Sequence, residues 1–80
     1  MKTMLITGAS RGIGAATALL AARNGFAVVV NYLRNQVAAE QVVDQIRSEG
    51  GIAEAVQADV SCEADVARLF EKVDRRFGGL

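Results

Sequence analysis

The chain has 80 residues, enough for one small domain. Hydrophobic residues make up 51% and charged residues 22%, a balance that excludes an intrinsically disordered segment. Nine basic residues offset nine acidic ones, so neither nucleic acid nor an anionic membrane is expected as a partner. With no histidine and Cys62 as the single cysteine, a His/Cys metal site, an internal disulfide and His-based catalysis are excluded for this segment.

The chain opens Met1-Lys2-Thr3, with only a brief apolar stretch before Thr7-Gly8. That stretch is too short for the core of a secretory signal, and no apolar run approaches the ~20 residues of a membrane helix. A cytoplasmic setting is expected. Thr3 to Thr7 reads as a strand buried on both faces, because its apolar residues do not alternate with polar ones. Gly12 to Asn24, rich in alanine and leucine, reads as the first helix. Phe26 to Tyr32 is the second strand, and the second helix runs from about Gln36 to Glu49, with Val42, Val43 and Ile46 on one face. A weaker third strand spans Ile52 to Ala58. The third helix starts after Ser61, read as its N-cap, and carries the stripe Val66, Leu69, Phe70, Val73, Phe77. Glu63 and Asp65 in its first turn and Arg75 and Arg76 in its last suit the helix dipole. Gly25, Gly50-Gly51 and Gly78-Gly79 punctuate the ends of the three helices.

Three strand–helix units with short loops predict an α/β fold, the N-terminal half (βαβαβα) of a doubly wound parallel sheet with strand order 3-2-1. In such a fold the first strand is central, and here nothing follows to pair with its second edge. An open apolar edge invites aggregation, so residues 1–80 are expected to be one nucleotide-binding segment of a longer chain.

The loop Thr7-Gly8-Ala9-Ser10-Arg11-Gly12-Ile13-Gly14 leaves a buried strand and enters a helix. In that setting Gly8 permits the tight turn, Gly12 clears space for a pyrophosphate at the backbone, and Gly14 lets helix and sheet pack closely. Free N–H groups at the helix start face the phosphates. No Asp or Glu lies between Gly12 and Asn24, and Arg11 adds a positive charge beside the open helix end. No Lys-Ser/Thr pair follows the last glycine, so the loop is not a P-loop. A receiver- or flavodoxin-like reading would need acidic residues after the first strand, and Gly8 to Gly14 has none.

A unit that binds NAD places an acid at the end of the second strand, about 20 residues beyond the glycines, to hold the ribose 2′-OH. Here that stretch reads Asn31-Tyr32-Leu33-Arg34, and the next carboxylate is Glu40. Without a carboxylate to repel it, a 2′-phosphate could be held by Arg11 and Arg34. NADP is therefore the expected cofactor, with NAD the alternative. Ser10 is expected to touch the cofactor and Thr7 to steady the loop. Cys62 at a helix start has no base or second cysteine nearby and is read as structural.

The spacing T-G-x-x-x-G-x-G and the string Thr7-Gly-Ala-Ser-Arg-Gly-Ile-Gly14 resemble the classical short-chain dehydrogenase/reductase family. The likeness continues through Asn31-Tyr32, Gly50-Gly51, Asp59-Val60 and Phe77-Gly78-Gly79-Leu80, so it covers the whole chain. The resemblance implies that Gly8, Ser10, Arg11, Gly12, Ile13, Gly14, Asn31, Tyr32, Arg34, Asp59 and Val60 line the dinucleotide site. It also implies that Asp59 bonds the adenine amino group while Val60 packs beside the ring. By the resemblance, the family's chemistry needs a later Asn-Asn-Ala-Gly motif, a catalytic serine after it and a Tyr-x-x-x-Lys pair. None is present, and Tyr32, with Gln36 four residues on, does not match that pair. The segment is therefore expected to supply cofactor binding without catalysis. The intact protein, a homo-oligomer by resemblance, is expected to interconvert a small-molecule carbonyl and a secondary alcohol. The branch it looks most like contains 3-oxoacyl-carrier-protein reductases and sugar dehydrogenases; a stand-alone nucleotide-binding module is the alternative.

Overall fold

A computed structural model describes residues 2–8 and 12–78. Six elements follow in strict alternation: β1 (Thr3–Thr7), α1 (Gly12–Arg23), β2 (Ala27–Tyr32), α2 (Gln36–Ser48), β3 (Ala53–Gln57) and α3 (Glu63–Phe77). The strands form one parallel sheet in the order β1-β2-β3. Thr3 pairs with Ala27 and Thr7 with Asn31 on one side of β2, and Val28 pairs with Ala53 and Tyr32 with Gln57 on the other. The doubly wound half-sheet read from the sequence is the observed topology.

β2 is flanked on both sides, and Ala27 to Asn31 are buried without interruption. Successive side chains of a strand point to opposite faces, so this one run feeds two cores. Val28 and Val30 join Ala18 and Ala21 of α1 and Ala39, Val42, Val43 and Ile46 of α2 on one face. Val29 joins Val56, Ala58, Leu69 and Val73 under α3 on the other. Burying a valine or isoleucine side chain contributes roughly 1.5–3 kcal/mol, so β2 is the strand on which both layers depend.

β1 is less enclosed than its sequence implied: Met4, Leu5 and Ile6 are only half-buried, because β2 alone flanks it in the described sheet. The third strand is one residue shorter at each end than Ile52 to Ala58. Ladder hydrogen bonds still reach those residues, from Val28 N–H to the Ile52 carbonyl and from Ala58 N–H to the Tyr32 carbonyl.

Two expectations for α3 are corrected. Its N-cap is Cys62, which makes no side-chain capping bond, while the Ser61 hydroxyl is spent on Asp59. Phe70 is 46% exposed, whereas Leu69 and Val73 are buried and Val66 and Phe77 half-buried. At about 100° per residue the buried face centres between Leu69 and Val73, and Phe70 lies furthest round from it. α2 is capped as a helix start demands, with Asn35 Oδ1 accepting from Ala38 N–H at 3.1 Å. Among the described residues no helix is long and apolar enough to cross a membrane.

Candidate functional site

All three strands run the same way, so their carboxyl ends converge on one edge of the sheet. Open α/β sheets bind ligands in the crevice outside those ends, where short loops meet. An open cleft of about 600 Å³ lies there, lined by Thr7 and Gly8 from β1, Asn31 to Asn35 from β2, and Ala58 to Val60 from β3.

The β1 exit begins at Gly8, whose φ is +66°, and α1 opens at Gly12, whose φ is +60°. An L-residue with a Cβ pays roughly 1–2 kcal/mol in that left-handed region, so both turns call for glycine. A Cβ at either position would meet no described atom within 4 Å, so the space beside the backbone is open. The first turn of α1 carries no acid. Its N–H groups and the positive end of its dipole are unopposed there, the arrangement that suits an anion. Ser10 and Arg11 lie outside the described residues. Ile13 is 87% exposed at the start of α1, and Gly14 is half-buried one residue further on.

At the β2 exit Asn31 and Tyr32 differ sharply. Asn31 is 4% exposed, and its amide nitrogen donates to the carbonyls of Val56 and Ala58, both at 3.2 Å. Tyr32 is half-buried against the α1–α2 core and lines the cleft. Arg34 is exposed on the loop that follows, and no carboxylate stands between Asn31 and Asn35. Gln57 Nε2 donates to the Leu33 carbonyl at 3.3 Å and ties this loop to β3.

At the β3 exit, Asp59 Oδ1 accepts from both the Ser61 hydroxyl, at 2.6 Å, and the Ser61 N–H, at 2.9 Å. These two bonds hold the carboxyl below the usual carboxylate range; burial opposes them, and the Arg34 guanidinium across the cleft adds a lesser lowering effect. Asp59 is therefore ionised at neutral pH. Its second oxygen, Oδ2, accepts no hydrogen bond from the described residues, and Asp59 lines the cleft. Val60, half exposed, stands beside it.

The structure thus brings Gly8, Asn31, Tyr32, Arg34, Asp59 and Val60 to one cleft, with Gly12, Ile13 and Gly14 opening α1. Sequence reasoning missed Ser61 and Asp65 as the partners that fix Asp59. The D-x-S spacing of Asp59 and Ser61 is a turn signature that could have revealed the first. The Asp65 carboxylate accepts from Asp59 N–H at 2.9 Å, a contact no local pattern announces. Cys62 is exposed, and no group of three metal-ligating side chains occurs among the described residues.

The short chain dehydrogenase family model matches residues 2–80. Versicolorin reductase stcU of Emericella nidulans is 47% identical over 79 residues, which are 99% of this chain and 30% of that protein. A dehydrogenase/reductase of Sinorhizobium meliloti superposes with a TM-score of 0.94 at 38% identity, over 99% of this chain and 31% of the other. The reductase LugOII, described as catalysing keto-reduction at C1 during lugdunomycin biosynthesis, superposes with a TM-score of 0.84 at 44% identity, over 96% and 32% of the two chains. The chain spans about 30% of the length of the curated relatives it matches. The glycine loop, the three-unit sheet and the family match over residues 2–80 together place this chain in the short-chain dehydrogenase family.

Proposed function

We propose that this chain is the cofactor-binding segment of an NADP(H)-dependent oxidoreductase that interconverts a carbonyl and a secondary alcohol. The observation that carries the cofactor reading is the β2 exit, where Arg34 lines the cleft and no carboxylate stands from Asn31 to Asn35. A carboxylate there would repel a 2′-phosphate, whereas a guanidinium donates charge-assisted hydrogen bonds to it.

The residues fit the adenosine and pyrophosphate portions of a dinucleotide. Gly8 and Gly12 leave backbone open where a pyrophosphate needs it, and the acid-free start of α1 offers N–H donors. Asp59, ionised and with Oδ2 free of described partners, suits an exocyclic amino group, with Val60 apolar beside it. Ser10 and Arg11 complete the loop on the family's pattern. When bound, the nicotinamide supplies the hydride. This chain's residues bind and orient the adenosine and phosphate portions. The residues that move protons belong, on this reading, to the part of the relatives beyond the matched 30%.

The carbonyl substrate is supported by relatives named as reductases and by a structural neighbour described as a keto-reductase. The test is a titration of the protein with NADPH and NADH, in the wild type and in Arg34→Ala. NADPH is expected to bind at least about tenfold more tightly, and Arg34→Ala to lose most of that margin, as loss of a charge-assisted bond implies. Equal affinity of the wild type for the two cofactors refutes the NADP reading.

A further inference from the structure

The peptide between Ala58 and Asp59 is gripped at both ends by side chains from two different layers. Its carbonyl accepts from Asn31 Nδ2 of β2 at 3.2 Å, and its N–H donates to Asp65 Oδ2 of α3 at 2.9 Å. The grip extends along the strand exit. Asn31 also takes the Val56 carbonyl, and Arg68 Nη2 takes the Gln57 carbonyl at 3.0 Å while standing 3.6 Å from Asp65 Oδ1. Three successive carbonyls of the β3 exit are thus held by side chains. Beyond them Ser61 fixes Asp59 Oδ1 with two hydrogen bonds.

This is more restraint than ending a strand requires. A strand that simply runs out at the surface leaves its last carbonyls to water at little cost. Here a nearly fully buried amide from the neighbouring strand and a carboxylate from the following helix converge on one peptide plane. That plane sets the direction of the Asp59 side chain. With Oδ1 occupied by Ser61, the orientation leaves Oδ2 as the acceptor available to a ligand.

We infer that Asn31 and Asp65 are positioning residues that lock the Ala58–Asp59 peptide, so that Asp59 selects a purine bearing an amino group over one bearing an oxo group at the same position. The inference rests on the adenine reading of Asp59 proposed above. Asn31 accordingly acts on Asp59 through its amide nitrogen, which is spent on the β3 carbonyls. Asp65 serves the site as well as the dipole of α3.

The experiment is calorimetric titration of the protein, expressed from its complete reading frame, with NADP⁺ and with its hypoxanthine analogue. Adenine carries the amino donor, and hypoxanthine presents an oxygen that an ionised carboxylate repels. The wild type is expected to favour NADP⁺ by roughly 10- to 150-fold, the worth of one hydrogen bond to a charged group. Asp65→Ala is expected to bring that ratio to within about twofold of unity, while Asp65→Asn, which keeps an acceptor oxygen, retains it. Asp65 is half-buried at the start of α3, so its truncation is expected to leave the circular dichroism spectrum intact. Asn31→Ala, at a buried position, is the second and harsher variant and is expected to lose the ratio as well. A loss of stability alone lowers affinity for both dinucleotides equally and does not move their ratio. If Asp59→Ala abolishes the preference while folded Asp65→Ala and Asn31→Ala keep it, the positioning role is overturned and the adenine reading stands. If the wild type shows no preference, or Asp59→Ala leaves it unchanged, the adenine reading itself falls.

Discussion

Replacing Gly12 by alanine separates the conformational and the binding roles of the loop. The φ of +60° places the residue in the left-handed region, where a Cβ costs roughly 1–2 kcal/mol. No described atom lies within 4 Å of that Cβ, so a steric clash adds nothing. Alanine also restricts the unfolded chain, which returns about 0.4–1 kcal/mol. The net loss of stability is therefore roughly 1 kcal/mol, or roughly 4–8 °C in Tm for a domain of this size. Binding should suffer more. The methyl group occupies the open space assigned to the pyrophosphate, and a bound anion cannot share it, so NADPH affinity is expected to fall more than about tenfold, or about 1.4 kcal/mol. Thermal denaturation with and without saturating NADPH reads both effects in one experiment. The variant should melt slightly earlier on its own and gain far less from ligand than the wild type. A variant that keeps the full ligand-induced rise in Tm would refute the phosphate role of Gly12. A loss above about 3 kcal/mol without ligand would refute the open space beside it, since conformational cost alone does not reach that size.

Further outcomes follow from the packing and the charges. Ile46 is 1% exposed in the α1–α2 core, so Ile46→Ala is expected to cost about 2–5 kcal/mol by urea denaturation. An alanine Cβ at Gly51 would stand 2.7 Å from Ile46 Cγ2 and 3.1 Å from the Ile46 carbonyl, so Gly51→Ala is expected to destabilise by about 1–3 kcal/mol through overpacking, read by the same assay. Arg23 and Glu49 form a paired bridge at 2.8 and 3.0 Å between the ends of α1 and α2. The guanidinium lowers the Glu49 carboxyl below its ordinary value. A lowered carboxyl contributes stability above the unfolded-state value and loses it as pH falls through the folded one. Melting temperature should therefore drop on acidification below the carboxylate range, and Glu49→Gln should drop less; an identical pH profile would contradict this.

Much of the fold is legible in local pattern. The run Phe26 to Tyr32 reads as a strand and forms one over Ala27–Tyr32, but the burial on both faces expected of β1 is found at β2 instead, where Ala27 to Asn31 are buried. The glycines that end the helices take positive φ at Gly25, Gly50 and Gly78. What local pattern missed was decided by partners distant in sequence. Asn31 looks like a polar residue at a strand's exposed end, yet carbonyls 25 and 27 residues away bury its amide. Ser61 looks like a helix cap, but Asp59 two residues earlier competes for its hydroxyl and wins, leaving Cys62 in the N-cap position before α3. Phe70 falls within the apolar stripe, yet only its angular position on the helix, against the sheet actually present, settles its exposure. The cleft itself follows from parallel topology, since only that brings the three strand exits to one edge.

The most direct test of the dinucleotide site is to map the backbone amide shifts of the ¹⁵N-labelled protein as NADP⁺ is added. The shifts are expected to concentrate at Gly8, Gly12 to Gly14, Leu33 to Asn35 and Asp59 to Ser61, around one cleft. Saturable binding with shifts centred elsewhere, such as the far ends of α1 and α2 near Arg23 and Glu49, or no shifts at millimolar NADP⁺, would contradict it.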